Sequence, residues 1–187
     1  MKIKLIEYQS VKSTNDVALR LINKNESKPT LIFSKNQTKG RGTMGKKWIS
    51  KKGNLFLTVF FEMSSIKTNF KELAILNAFL FKNIISKYVN KRIDIKWPND
   101  LLIEKKKICG ILQEVVNFKE KKFLIVGVGI NTTISPYIYG LKSSSIKDYA
   151  KKNFDNKIIL KDIKKNYEKF IDDIMKFKFL HLKRKLI

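Results

Sequence analysis

TKGRGTMGKKW (Thr38–Trp48) carries glycines at 40, 42 and 45 in the spacing G-x-G-x-x-G, with basic residues at 39, 41, 46 and 47 around them. Read as a dinucleotide-binding turn, it would decide the fold at once, because such a turn needs a strand before it and a helix opening at its third glycine. The strand is present in TLIFS (Thr30–Ser34). The helix is not: KKWISKKGNLFLTVFFE (Lys46–Glu62) has another glycine break at Gly53 and then a β-rich run. A crossover helix has no room there, so the stretch reads as a mobile cationic loop between two strands.

Working outward, KIKLIEY (Lys2–Tyr8) alternates as a strand. KSTNDVALRLI (Lys12–Ile22) offers cap-type residues at Ser13, Thr14 and Asn15, followed by Val17, Ala18, Leu21 and Ile22 at helical spacing. LFLTVFFE (Leu55–Glu62) is a strand, and NFKELAILNAFLFKNIISKYV (Asn69–Val89) keeps its apolar residues on one broad face, as the main core helix would. RIDIKW, LLIE, ICGILQEVV and FLIVGVGI form a β-rich run between Arg92 and Ile130, with a lysine turn at Lys105–Lys107 closing a hairpin. From 146 onward the chain reads as helical, and Ile163, Tyr167, Phe170, Ile174 and Phe177 recur at helical spacing in KDIKKNYEKFIDDIMKFKFLHLKRKLI (Lys161–Ile187), one docking helix. The expectation is an α+β fold, a mixed β-sheet with helices packed on it, as one domain over residues 1–187.

The composition narrows the chemistry. At 187 residues and 43% apolar content the chain can bury one core. No apolar run approaches the roughly 18 residues of a membrane span, and MKIKLIEYQS breaks its apolar residues with charge, unlike an export signal, so a cytoplasmic protein is expected. Cys109 is the single cysteine and reads as a packing residue. The net charge of +24 invites a polyanionic partner, yet the arginines are only Arg20, Arg41, Arg92 and Arg184, and base readers lean on arginine forks. DNA is therefore not expected as a partner; an acidic protein or an anionic substrate explains the charge as well. His181, the single histidine, excludes histidine-based triads and zinc clusters, so no metal-ligating residues are assigned. Catalysis would rest on lysine, arginine, carboxylates, backbone donors and a loosely held Mg²⁺.

Five segments then stand out: STND (13–16), QTKGRGTMGKKW (37–48), KWPNDLLI (96–103), KKKICGILQE (105–114) and GVGINTT (127–133). In this order and spacing they resemble the catalytic domain of biotin protein ligases, in a short form, over roughly Ser13–Thr133; KWPND followed by K-x-x-G (Lys107–Gly110) is the most specific part. The resemblance implies ATP-dependent adenylation of biotin to biotinyl-5′-AMP with Mg²⁺, then transfer to a lysine of a biotin carboxyl carrier protein domain. It implies that Ser13, Thr14, Asn15, Gln37, Gly40, Arg41, Gly42, Thr43, Lys107 and Gly110 bind biotin. Arg41, Lys46, Trp48, Asn99, Lys107 and Asn131 would bind ATP or the adenylate, and Lys107, Arg41 and Asp100 would be catalytic.

Physical readings stand beside these roles. A cyclic urea needs donors for its carbonyl and acceptors for its N–H groups, which the hydroxyls of Ser13 and Thr14 and the Gln37 amide can supply; Ser13 or Thr14 could equally be a helix cap. Joining a carboxylate to a phosphate needs fixed cations, for which Arg41 and Lys107 are candidates, although Lys107 could be a solvated turn lysine. Trp48 offers a face for adenine or packs in the core. Asp100 could deprotonate a carrier lysine or pair with Lys96 or Lys107. Gly127 and Gly129 either admit a ligand or pack strands tightly. Loop residues Lys39–Lys47 are expected to close over ligand.

Family members often carry a second arginine where this chain has Thr43, which predicts weaker retention of the adenylate. No upstream helix-turn-helix is expected, and the small C-terminal β-domain of many members is not apparent, which leaves room for a homodimer. Competing readings are a lipoate or octanoate ligase or transferase on the same scaffold, which would need an apolar tunnel, a basic nucleic-acid-binding module, and a ligand-binding pseudo-enzyme.

Overall fold

A computed structural model describes residues 1–137 and 139–186; Ile187, the end of the predicted C-terminal helix, and Ile138 lie outside the described residues. The elements are β1 (Lys4–Tyr8), α1 (Thr14–Asn23), β2 (Thr30–Ser34), β3 (Leu55–Glu62), α2 (Phe70–Ile85), β4 (Asp94–Lys96), β5 (Asp100–Ile103), β6 (Lys106–Phe118), β7 (Lys121–Ile130), α3 (Asn156–Lys176) and α4 (Phe179–Leu186). The strands form one sheet in the order β1-β2-β3-β7-β6-β5-β4; β1 and β2 run parallel and the other pairs antiparallel, so the sheet is mixed, as expected.

Both faces are covered, which is why β3 reads as a nearly unbroken apolar run. Its Leu55, Leu57, Val59 and Phe61 join the large core under α2, α3 and α4. Phe60, with Ile32 of β2 and Phe123 and Ile125 of β7, forms a smaller core with Val17, Ala18 and Ile22 of α1. The start of α2 is fixed by a capping box: the Asn69 side chain accepts the Glu72 N–H (3.0 Å) while the Asn69 N–H donates to the Glu72 carboxylate (2.9 Å). A buried polar tie joins α2 to α3, the Tyr167 hydroxyl donating to Asn77 Oδ1.

Three sequence expectations change. The hairpin turn is Glu104–Lys105, both at positive φ (50° and 63°), a two-residue connection, so Lys106 and Lys107 belong to β6 rather than to the turn. Residues 146 to 155 are helical only in a 3₁₀ turn at Lys147–Tyr149, followed by a bridge from Ala150 to Val89, before α3 begins. The C-terminal helix is two helices: Phe177 is extended (φ −116°, ψ 148°) and 36% exposed, leaving the buried stripe of Ile163, Tyr167, Phe170 and Ile174. The break brings α4 against α2, where Leu182 is buried, a gain that a straight helix would forgo.

Candidate active site

On the α1 side of the sheet three glycines gather at one place. Phe56, Gly129 and Gly110 lie across β3, β7 and β6 in one row, and Thr58, Gly127 and Leu112 in the next. The three glycines leave a trough. A Cβ on Gly127 would overlap the Asn15 amide, and one on Gly110 would stand 2.6 Å from the Trp48 ring. The trough is a cavity of about 40 Å³, room for a few waters. Ser13, Thr14, Asn15, Gln37, Arg41, Gly42, Thr43, Trp48, Asn99, Lys107 and Gly110 all line it, together with Gly127 and Gly129.

The N-terminus of α1 enters the trough through a polar chain. Ser13 is the N-cap residue but its side chain makes no capping bond. The cap comes from the loop instead: Gln37 Oε1 accepts the Thr14 N–H (2.8 Å) and its hydroxyl (3.1 Å). The buried Thr58 hydroxyl lies 2.8 Å from Thr14 Oγ1 and 2.6 Å from Asn15 Oδ1, and Asn15 Nδ2 donates to Glu114 (2.7 Å). Arg41 donates to Glu114 and, at 2.8 Å, to Asp16 in the first turn of α1. Burial alone would lower the Arg41 pKa; the two acids outweigh it and raise the value, so the guanidinium stays charged.

Lys107 reaches the site through an irregularity. From Cys109 onward β6 alternates, with Cys109, Ile111 and Val115 on the large core and Gly110, Leu112 and Glu114 on the α1 side. Regular alternation would put Lys107 in the core. The register slips instead, Leu101 opposing Cys109 while Leu102 opposes Lys107, so Ile108 is the extra residue of a β-bulge. Ile108 and Cys109 both turn into the core, fully buried, and Lys107 points to the trough, its Nζ 5.2 Å from the Trp48 ring centre. Burial pushes the Cys109 thiol up, as befits a packing residue. Asp100 Oδ1 lies 2.7 Å from Lys107 Nζ, the two side chains 17% and 18% exposed, an ion pair without the direction of a hydrogen bond.

Four residues singled out from the sequence do not line the cavity. Asp100 stands behind Lys107. Gly40 is buried at the loop's base, where a Cβ would meet the Trp48 carbonyl at 2.5 Å. Lys46 is exposed on a cleft along the outside of the loop. Asn131 is buried between chain segments, donating to the Ser144 carbonyl at 3.2 Å. Sequence reasoning missed Asp16, Thr58 and Glu114; Asp16 and Glu114 sat inside quoted segments, but their role shows only through partners distant in sequence. The loop from Gly40 to Trp48 is a small hairpin, Gly42 N–H donating to Lys46 O (2.7 Å) and Trp48 N–H to Gly40 O (2.9 Å). Trp48 closes the trough with its indole N–H buried and, among the described residues, without an acceptor.

A seven-stranded mixed sheet with a cationic glycine loop over a glycine trough defines a class, and the chain belongs to the biotin/lipoate A/B protein ligase family, which residues 7–131 match. Among relatives, it is 31% identical over 185 residues to the bifunctional ligase/repressor BirA of Bacillus subtilis, covering 96% of this chain and 57% of that protein. Among solved structures, the biotin protein ligase of Aquifex aeolicus in complex with biotin and ATP superposes with a TM-score of 0.82 at 28% identity, covering 98% of this chain and 76% of that one. Plasmodium falciparum LipL1 in complex with lipoate shares the fold at a TM-score of 0.62 and 11% identity, over 91% of this chain and 62% of that one.

Proposed function

We propose that this chain is a biotin protein ligase. A biotin carboxylate oxygen would attack the α-phosphorus of ATP, forming the mixed anhydride as the bond to pyrophosphate breaks; a carrier lysine would then attack the acyl carbon and release AMP. The observation that carries this reading is the meeting, at one trough, of neutral hydrogen-bonding groups and two fixed cations. The hydroxyls of Ser13 and Thr14 and the Gln37 amide suit a cyclic urea better than the apolar end of lipoate. Arg41 and Lys107 supply positive charge where two anions must approach and a more highly charged transition state forms. Asp100 fits an orienting role, holding Lys107 from behind.

Among the described residues no three His, Cys, Asp or Glu gather to hold a metal, so Mg²⁺ would be held by the ATP phosphates with at most a carboxylate from the protein. The trough as it stands is too small for a bicyclic ring, so Trp48 and the Lys39–Lys47 loop would have to move aside and then close over the anhydride, excluding water. The carrier is proposed to be a biotin carboxyl carrier protein domain. The decisive experiment supplies ATP and Mg²⁺ with either biotin or lipoate and measures pyrophosphate, acyl-adenylate and label on a carrier domain. Biotin alone should give all three; turnover with lipoate instead would reassign the substrate, and turnover with neither would end the reading.

A further inference from the structure

Glu114 touches both halves of the candidate site. One carboxylate oxygen accepts the Asn15 amide at 2.7 Å and the other accepts Arg41 Nη2. Asn15 is 3% exposed and is held on its other side by the fully buried Thr58. Glu114 itself stands on β6, opposite Ile125 of β7, on the strand face that carries Gly110. Rigid elements therefore fix the glutamate and the asparagine, while Arg41 arrives on the glycine loop. Only a carboxylate can satisfy both neighbours, because it offers two acceptor oxygens and no donor; a glutamine would turn its NH₂ toward either the amide or the guanidinium. The charge-assisted contact to Arg41 is also the stronger of the two. A guanidinium has five N–H donors, so Arg41 can hold Asp16 and Glu114 and still donate to an anion.

We propose that Glu114 is a positioning residue for adenylation, a brace that sets the distance between the amide at the ring-binding end and the cation at the phosphate end. It seats the Arg41 loop before ligand arrives. The catalytic part of this proposal rests on the ligase reading; the seating of the loop does not.

The test uses Glu114→Gln in the full chain. In the ligand-free protein, amide exchange from Gly40 to Trp48 should quicken several-fold, while the Asn69–Ile85 helix is unchanged; equal exchange in the loop overturns the brace. In turnover, kcat for biotinyl-adenylate should fall by about tenfold, the scale of one hydrogen bond to a charged group. The KM for biotin should stay within about threefold, and a raised KM at constant kcat would make Glu114 a ring-binding residue only. Added to Arg41→Ala, the substitution should cost little further, whereas added to Lys107→Ala it should cost its full factor; additive losses with Arg41→Ala refute the proposal. Should Glu114→Gln fail to fold, Glu114→Asp keeps the charge but shortens the reach, and loop exchange must again rise. If the parent forms no biotinyl-adenylate, the ligase reading falls and loop exchange alone decides the brace; if the parent is active and neither exchange nor kcat moves, the brace alone falls.

Discussion

Lys107 meets Asp100 at 2.7 Å where both side chains are largely buried, whereas Arg41 leans on Asp16 and Glu114 nearer the solvent. On the ligase reading, Lys107→Ala and Arg41→Ala should each slow adenylate formation by about 10²–10³-fold, measured as pyrophosphate release from folded protein, because each removes a donor aimed at developing charge. Thr43 lines the trough where family members often have arginine. Thr43→Arg should therefore lower the biotinyl-AMP recovered in filtrate during turnover, and unchanged leakage would count against Thr43 as the weak point. Lys107 was legible in the sequence only through the K-x-x-G register, since three neighbouring lysines look alike. Glu114 was not legible as a partner: its contacts to Arg41 and Asn15 span 73 and 99 residues, and a glutamate in a strand ordinarily faces water. Thr58 was hidden for the opposite reason, as one more β-former in an apolar run.

Among the elements, α2, although it stops at Ile85 and not Val89, and the strands around the glycine loop followed from periodicity, and the α+β architecture with them. What periodicity could not give is any feature that breaks it. The end of α3 has no glycine or proline to mark it, and the spacing from Ile174 to Phe177 continues the helical pattern, so only the tertiary gain at Leu182 decides the break. The bulge at Ile108 is equally silent, because an isoleucine suits either side of a half-buried strand. The tie between α2 and α3 makes a sharper prediction. Burial holds the Tyr167 pKa well up, so its hydroxyl remains a proton donor to Asn77. Tyr167→Phe leaves Asn77 Oδ1 without that donor inside the core and should cost about 1–3 kcal/mol in denaturant unfolding.

For the molecule as a whole, charge is the governing quantity. A net charge of +24 favours expansion, so the melting temperature should rise between about 0.01 M and 0.15 M salt as the screening length shrinks from roughly 30 to 8 Å. Acid should act in the opposite sense. The Ile3 backbone N–H and then Lys164 hold Glu168 below its ordinary 4.5, and in Asp148 burial, which pushes up, is outweighed by Ser144 and Ser145, leaving it below 3.8. Depressed folded-state values mean that these carboxylates stabilise the protein fully above those ordinary values, and that the contribution disappears as pH falls through the lower folded values. Melting curves from pH 7 to about pH 3 should show that loss, and Glu168→Gln should flatten it in proportion to that residue's share. The slip in β6 also bears on how such a chain can diverge. Ile108 and Cys109 can exchange for other small or branched apolar residues at modest expense, because both face the core; what holds the ammonium on the trough side is the bulge itself, since at this three-residue spacing strict alternation would place Lys107 on the opposite face from Gly110. The interval tolerates changes of letter so long as one of its two inner residues stays out of the ladder.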